Sequence, residues 1–377
     1  MSHDTDDARV FHQFCRAGEQ AGYSVHLFAS QEVAVDGFGV TIHPVPKAPS
    51  RLKRWLSSYQ LARTAMRLNP SVLHVHEPLL LAPAVRMSRG RAKIVWDVHE
   101  DYLQVALTRH WIPKPLRTSV AAWWKFSELR SLKKVDAVVV ANPPHLERYA
   151  QLHSRALVMP NFPELRPFET RTPSSHPIAI YTGTILPNRG LWEAVEALSI
   201  ARKEGVDVQL LVAGGVPEDG YFDTVLDHAS QLGVRDLVDF RGRVPRDEAL
   251  ALQRTATIGL IPHLPVGNNL HAWSVKMVEF MEAGLPVVYS DIPAHREIAQ
   301  DDSIGISVNP TRPAEIAAAL IQLSKNPDLA EAMGKAGRQV VVDRLSWDSK
   351  KSTLIDLYDS LALGVEAART QENADVH

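Results

Sequence analysis

The sequence predicts an α/β protein built from two doubly wound, Rossmann-like domains. Short apolar runs such as Lys93–Val98, Asp136–Ala141, Val208–Ala213 and Val287–Ser290 alternate with helix-period stretches along the chain. That alternation is the pattern of a parallel sheet covered by helices on both faces. It runs twice, interrupted at Pro160–Pro177, where Pro, Ser and Thr cluster between Thr170 and Ser175 and read as a linker. At 377 residues and 45% hydrophobic content, the chain has enough apolar material for two cores. Residues 1–165 and 176–345 are the expected domains, followed by a last helix over 346–366.

Composition narrows the class. A single cysteine, Cys15, rules out an internal disulfide framework and fits a reducing cytosol. No apolar run approaches the roughly 20 residues that span a bilayer. Residues 1–165 hold 21 Lys and Arg against 14 Asp and Glu, a balance of +7, which leaves 20 against 29, or −9, for the rest. The basic first half suits an anionic surface, although charge alone does not separate a membrane from nucleic acid.

In order, Ala8–Ala21 reads as a helix with Val10, Phe11, Phe14 and Cys15 inward. Ser24–Ala29 and Val40–Val45 read as strands, and Pro49–Asn69 as a basic amphipathic helix carrying Arg51, Lys53, Arg54 and Trp55. Val72–His76 and Lys93–Val98 are buried strands flanking a helix near Leu80–Met87. His74 and His76 alternate along one strand in the manner of metal ligands; with no third partner at a convincing spacing, they read as structural. The second strand ends in the polar cluster Asp97-Val98-His99-Glu100-Asp101-Tyr102, and ligands bind at carboxyl strand ends. Pro113–Lys134 is a long helix that mixes Trp123, Trp124 and Phe126 with Lys114, Arg117, Lys125, Arg130, Lys133 and Lys134. It reads either as an interfacial helix on anionic lipid or as an ordinary packed helix. Asp136–Ala141, the helix Pro144–Leu152 and Leu157–Met159 complete this half.

The second half opens with the strand Ile178–Tyr181, the loop Thr182–Arg189 and the helix Gly190–Lys203. Val208–Ala213, Val238–Arg241, Thr257–Ile261, Val287–Ser290 and Gly305–Val308 supply further strands. Ser346–Leu363 is the last helix and Gln371–His377 a polar tail. Chemistry concentrates in residues 268–291, NNLHAWSVKMVEFMEAGLPVVYSD. Val275, Met277, Val278 and Met281 have the spacing of a helix buried on one side, Gly284 ends it, and Pro286 leads into a strand. Lys276 sits in the first turn and Glu279 one turn on, within reach of it. A helix start beside a strand end is where α/β proteins hold anions, because unpaired N–H groups and the positive dipole end converge there.

Lys276, Glu279, Phe280, Met281, Ala283, Gly284, Leu285, Pro286, Val287 and Val288 resemble the donor-site signature K-x-x-E-[YF]-M-x-A-G-x-P-V-V of the family 4 glycosyltransferases, and the resemblance extends over nearly the whole chain. It implies the GT-B fold, in which the two domains face each other across a cleft and the last helix crosses back to the first. It implies retaining transfer from a nucleoside-diphosphate sugar, with a UDP-sugar expected, to an acceptor hydroxyl, without a cofactor or metal. The loop Gly183-Thr184-Ile185-Leu186-Pro187-Asn188-Arg189-Gly190 is similar to the family's G-x-x-x-x-x-K/R-G element, so Arg189 and Lys276 become the expected diphosphate clamp. Glu279 is expected on the ribose hydroxyls, Gly242 near the base, and His99 on the donor sugar or phosphate. His99, Lys276 and Arg189 are the expected catalytic groups; Gly183, Thr184, Gly242, His271 and Glu279 complete the donor set.

The chain departs from the family pattern at two positions. His271 stands eight residues before Glu279, where many members carry a first Glu, and Thr184 stands where an Arg often follows the glycine. Asn268, Asn269 and His271 then either read sugar hydroxyls or shape the loop. His3, Asp7, Arg9 and Phe11 resemble a polar loop that follows the family's first strand. That strand is not present; either the start was assigned too late or the sheet lacks it. The expected partners are a nucleotide-sugar donor, a lipid-linked or saccharide acceptor and an anionic membrane surface, with no nucleic acid. The expected place is the cytoplasm, at the inner face of the plasma membrane. Two other readings stay open: a UDP-N-acetylhexosamine 2-epimerase-like enzyme, and a non-catalytic sugar-nucleotide-binding subunit.

Overall fold

In the computed structural model the described strands form three parallel sheets, of two, four and six strands. The structure describes residues 8–29, 39–46, 50–99, 112–167, 174, 176–217 and 220–374. Two compact units emerge, Met1–Asn161 with Lys350–His377, and Phe162–Ser349.

The first unit opens with a π-helical stretch, Ala8–Cys15, that tightens into α1, Arg16–Gln20. The wider π turn brings Arg9 and Gln13 to the buried side together with Val10, Phe11 and Phe14. Among the described strands, β1 (His26–Ala29) and β2 (Thr41–Pro44) pair only with each other. After α2 (Arg51–Met66), β3 (Val72–Val75), α3 (Pro78–Ser88), β4 (Lys93–Val98), α4 (Arg117–Leu132), β5 (Ala137–Val140), α5 (Pro143–Leu152) and β6 (Ala156–Val158) build the four-stranded sheet in sequence order. Residues 1–7, with His3 and Asp7 of the expected polar loop, lie outside the described residues. Of the expected polar cluster after β4, Glu100, Asp101 and Tyr102 lie outside the described residues.

In the second unit β7 (Ile178–Thr182) sits mid-sheet. The chain adds α6 (Leu191–Lys203), β8 (Gln209–Ala213), α7 (Tyr221–Gln231) and β9 (Val238–Gly242) on one side. It returns through α8 (Arg246–Thr255) to β10 (Ile258–Ile261), α9 (Val275–Glu282), β11 (Val287–Ser290), α10 (Pro293–Ala299) and β12 (Gly305–Val308) on the other. The order β12-β11-β10-β7-β8-β9 reverses between β7 and β10. Such a reversal opens a crevice beyond the carboxyl ends of the two central strands. Helices α11 (Pro313–Lys325) and α12 (Pro327–Val340) close the layer.

Phe162–Arg166 is held by the second unit. Pro163 O accepts from Trp347 N–H at 2.9 Å, the Asp348 carboxylate from Leu165 N–H at 3.1 Å, and Arg166 O from Arg338 at 2.7 Å. These bonds move the division to Asn161/Phe162, before the expected residue 165; residues 168–173 and 175 of the expected linker lie outside the described part. The last helix, α13, runs Asp348–Ala374, so the expected tail from Gln371 is helical as far as Ala374. Helix formers in its last turns, Glu366, Ala367, Ala368, Arg369, Gln371 and Glu372, favour continuation. Leu354, Leu357, Leu361 and Val365 of α13 are buried, and Tyr358 reaches His74 of β3 at 2.7 Å.

Candidate active site

Helix α9 owes its position to both of its ends. Ser274 is extended and its hydroxyl accepts from Met277 N–H at 3.4 Å, capping the first turn. At the other end Gly284 takes φ +71°, and Gly284 and Leu285 donate back to Met281 and Phe280 at 2.9 Å. Met277, Phe280 and Met281 are fully buried, each worth about 1.5–3 kcal/mol of burial. They fix the helix rotation, which leaves Lys276 40% exposed and Glu279 nearly enclosed. Lys276 Nζ donates to Glu279 Oε2 at 2.8 Å, leaving Oε1 available to hydroxyl donors.

The loop after β7 holds the second expected cation. Gly183 N–H donates to Ala213 O at 3.0 Å and Ile185 N–H to Gly215 O at 2.9 Å, which extends the β7–β8 ladder past the strand end. Thr184 between them is exposed, and its carbonyl accepts from the Tyr181 hydroxyl at 2.8 Å. Pro187–Arg189 forms a 3-10 turn that ends at Gly190, φ +75°. A Cβ on Gly190 would stand 1.8 Å from Pro262 O, so only glycine lets this turn reach the segment following β10. That approach sets Arg189 Nη1 at 3.3 Å from both ring nitrogens of His263.

His263 cannot balance the charge. Burial first, then Arg189 and His295, push its pKa down to about 2, so it is neutral beside the guanidinium. His295 behaves alike, lowered to about 4 by burial, with its Nδ1 donating to Ser290 O at 3.0 Å. Among the described residues Arg189 has no carboxylate partner, and it stands at the switch-point crevice.

The other expected groups divide. Gly242 ends β9, φ +66°, two strands from β7 or roughly 10 Å at normal strand spacing; its carbonyl accepts from Gly214 N–H at 2.8 Å. His271 is exposed after the 3-10 turn Gly267–Leu270. Asn269 shapes the loop: it is buried and its amide donates to Asn188 O at 2.8 Å and Leu264 O at 3.0 Å, tying this turn to the Arg189 turn.

In the first unit His99 lies after β4 with Nε2 at 2.8 Å from Asp97 Oδ2. Asp97 is the centre of a buried network. Arg9 forks onto both its oxygens at 3.0 and 2.7 Å, and His76 Nδ1 adds a third contact at 2.8 Å. Burial pushes the carboxyl up, but Arg9 and His99, with hydrogen bonds from His76 and His99, hold it well below the usual carboxylate range. Burial drives the pKa of His74 and His76 down. His74, His76 and Asp97 do bring potential ligand atoms within 4.8 Å of one another. Sequence spacing missed Asp97 because it comes from the neighbouring strand, where the β3–β4 register carries His76 to it. Here the guanidinium of Arg9 already supplies the cation at that carboxylate, which makes the cluster an internal ion-pair network.

An arginine without a carboxylate partner among the described residues and a lysine-bearing helix start, both on a doubly wound sheet, are features with which α/β proteins can hold an anion. Residues 8–166 match the family described as Glycosyltransferase Family 4, and residues 164–340 the one described as Glycosyl transferases group 1. The chain belongs to the family 4 glycosyltransferases, and its fold is of the GT-B class. It is similar to the GDP-mannose-dependent alpha-(1-6)-phosphatidylinositol monomannoside mannosyltransferase of Mycobacterium tuberculosis, 29% identical over 48% of this chain and 46% of that protein. The match thus spans about half the length of that relative. A phosphatidyl-myo-inositol mannosyltransferase of Mycobacterium leprae is 26% identical over 84% of this chain and 78% of its own. Among solved structures, a glycosyltransferase from Rickettsia africae superposes with a TM-score of 0.73 at 14% identity, covering 94% of each chain. The Anabaena protein HepE, in complex with UDP and glucose, gives 0.71 at 13%, covering 94% of this chain and 96% of that one.

Proposed function

We propose that this enzyme transfers a glycosyl group from a nucleoside-diphosphate sugar to an acceptor hydroxyl with retention at the anomeric carbon. The observation that carries the reading is Arg189, a cation without a carboxylate among the described residues, placed at the switch-point crevice. Departure of the nucleoside diphosphate is the demanding step. Arg189, Lys276 and the N–H groups of the α9 start stabilise the charge growing on it, the role a divalent cation plays elsewhere. Glu279 accepts from the ribose hydroxyls through Oε1 while Oε2 keeps Lys276 in place. His99, held by Asp97, serves the donor sugar or phosphate.

The acceptor is a lipid-linked or saccharide hydroxyl, bound by the first unit at an anionic membrane face, in cell-surface polysaccharide or glycolipid assembly. No helix among the described residues is long and apolar enough to cross a membrane. Contact is therefore peripheral in this reading, and α4 with its flanks offers the surface for it: Trp123 is 55% and Phe126 64% exposed, Leu116 and Val120 are exposed too, and so are Lys125, Lys133 and Lys134. The relatives' names support a sugar-nucleotide donor and a phosphatidylinositol-type acceptor. The test offers UDP- and GDP-sugars with saccharide and lipid acceptors in excess chelator, following nucleotide release and the anomeric configuration by NMR. A retained glycoside is expected; epimerisation of donor alone, or an inverted product, contradicts the reading.

A further inference from the structure

The two cations of the clamp stand on separate stretches of the second unit, Arg189 on the 3-10 turn Pro187–Arg189 and Lys276 in the first turn of α9. One side chain bonds across from one stretch to the other. Asn269, in the 3-10 turn Gly267–Leu270 that leads toward α9, is buried. Its Nδ2 donates to Asn188 O at 2.8 Å and to Leu264 O at 3.0 Å, and Asn188 is the residue directly before Arg189. Both partners are carbonyls, which can only accept, so the amide must turn its NH2 group toward them.

Neither carbonyl depends on that amide for a partner. Asn188 O also accepts from Leu264 N–H at 3.0 Å, and Leu264 O from Val266 N–H at 2.8 Å. A buried carbonyl with one donor is already satisfied, so what Asn269 adds is a fixed geometry between two turns. From Asn269 the path to Lys276 is braced. Ala272 N–H donates to Asn268 O at 2.9 Å, Trp273 Nε1 to the Glu297 carboxylate of α10 at 2.7 Å, and Ser274 caps α9. On the same α10 the His295 ring lies 5.4 Å from that of His263, the ring beside Arg189. The contacts close a circuit from Arg189 through Asn269 to the α9 start and back through α10.

We propose that Asn269 is a positioning residue: through Asn188 O it sets the separation of Arg189 and Lys276, and so makes the site prefer a nucleoside diphosphate to a monophosphate. The proposal rests on the reading of these two cations as the diphosphate clamp. Charge-assisted hydrogen bonds are short, about 2.7–2.9 Å, so two linked phosphates meet both cations only when the cations stand at a matching distance. A single phosphate is held by whichever cation it meets, whatever the spacing. Asn269 touches neither cation and acts through the turn that carries Arg189.

The experiment titrates UDP, UMP, GDP and GMP into the full chain in excess EDTA, for the wild type, Asn269→Ala, Arg189→Ala and the double variant. For the diphosphate that the wild type binds more tightly, Asn269→Ala should weaken binding about tenfold and leave the matching monophosphate within about twofold. In the Arg189→Ala background the same substitution should change diphosphate binding by no more than about twofold, since nothing is left for it to position. Asn269→Ser, which keeps one donor, should fall between Asn269→Ala and the wild type. Equal weakening of mono- and diphosphate, or the full tenfold loss added to that of Arg189→Ala, overturns the proposal and leaves the clamp standing. Diphosphate binding unchanged in Arg189→Ala alone contradicts the clamp, and the proposal with it. A variant at position 269 that fails to fold also overturns it, because both carbonyls keep a donor without the amide.

Discussion

Arg189 lies 3.3 Å from both ring nitrogens of His263, a histidine that burial and that same arginine keep neutral. The pairing holds the guanidinium in place without cancelling its charge, the condition for an anion site that is ready before its ligand arrives. Replacing His263 by Glu would cancel it. His263→Glu should lower kcat/KM by about a hundredfold, close to the loss of one charge-assisted contact, whereas His263→Asn should stay within about tenfold of the parent. Steady-state kinetics on the two variants separate a charge effect from a packing effect, and equal losses would argue for packing.

Stability should fall as pH drops below neutrality. His263, lowered to about 2, and His295, lowered to about 4, stay neutral in the fold, while both protonate near 6.5 in the unfolded chain. The unfolded state then binds more protons between about pH 6.5 and 4, so the stability is complete above that window and declines through it. Each histidine contributes up to about 1.4 kcal/mol per pH unit. Urea unfolding at pH 7, 6 and 5 gives the slope, and His263→Asn with His295→Asn should flatten it.

The Arg9–Asp97 pair should behave as a buried ion pair. Arg9→Leu strands a buried carboxylate and should cost about 3–5 kcal/mol, and Asp97→Leu in the same chain should recover much of that loss. Recovery of fold without recovery of turnover would show that Asp97 also positions His99. Simple addition of the two losses would remove the ion pair from the account.

Adsorption to membranes should depend on the exposed residues of α4 and its flanks. Binding to anionic liposomes should fall between about 50 mM and 500 mM salt, as screening shortens. It should also drop when Lys125, Lys133 and Lys134 become Glu or when Trp123 and Phe126 become Ser. A supernatant protein at low salt would turn the acceptor assignment toward soluble saccharides.

Sequence periodicity carried much of the fold because buried parallel strands announce themselves: Lys93–Val98 and Val287–Ser290 have the bounds that their apolar runs predict. Lys276 and Glu279 were legible as one helical turn, and their contact is local. His263 and His295 were not legible as site groups, since each owes its state to burial or to a partner tens of residues away in sequence; Asp97 was legible within the polar cluster that ends its strand, but not as the partner of Arg9 and His76. Asn269 was open between reading hydroxyls and shaping a loop; both its amide bonds go to backbone carbonyls, one of them 81 residues distant. The signal that could have found His263 was topological. It follows β10, and the reversal of strand order between β7 and β10 marks that strand end as a ligand site.

The diphosphate clamp is tested most directly by isothermal titration of UDP and GDP into the wild-type chain, Arg189→Ala and Lys276→Ala, all in excess EDTA. One of the two nucleotides should bind the wild type without metal. Each substitution should weaken that binding by about ten- to a hundredfold, the worth of a charge-assisted hydrogen bond, at unchanged Tm. Binding that needs Mg²⁺ or Mn²⁺, or that survives both substitutions within about twofold, would contradict the clamp.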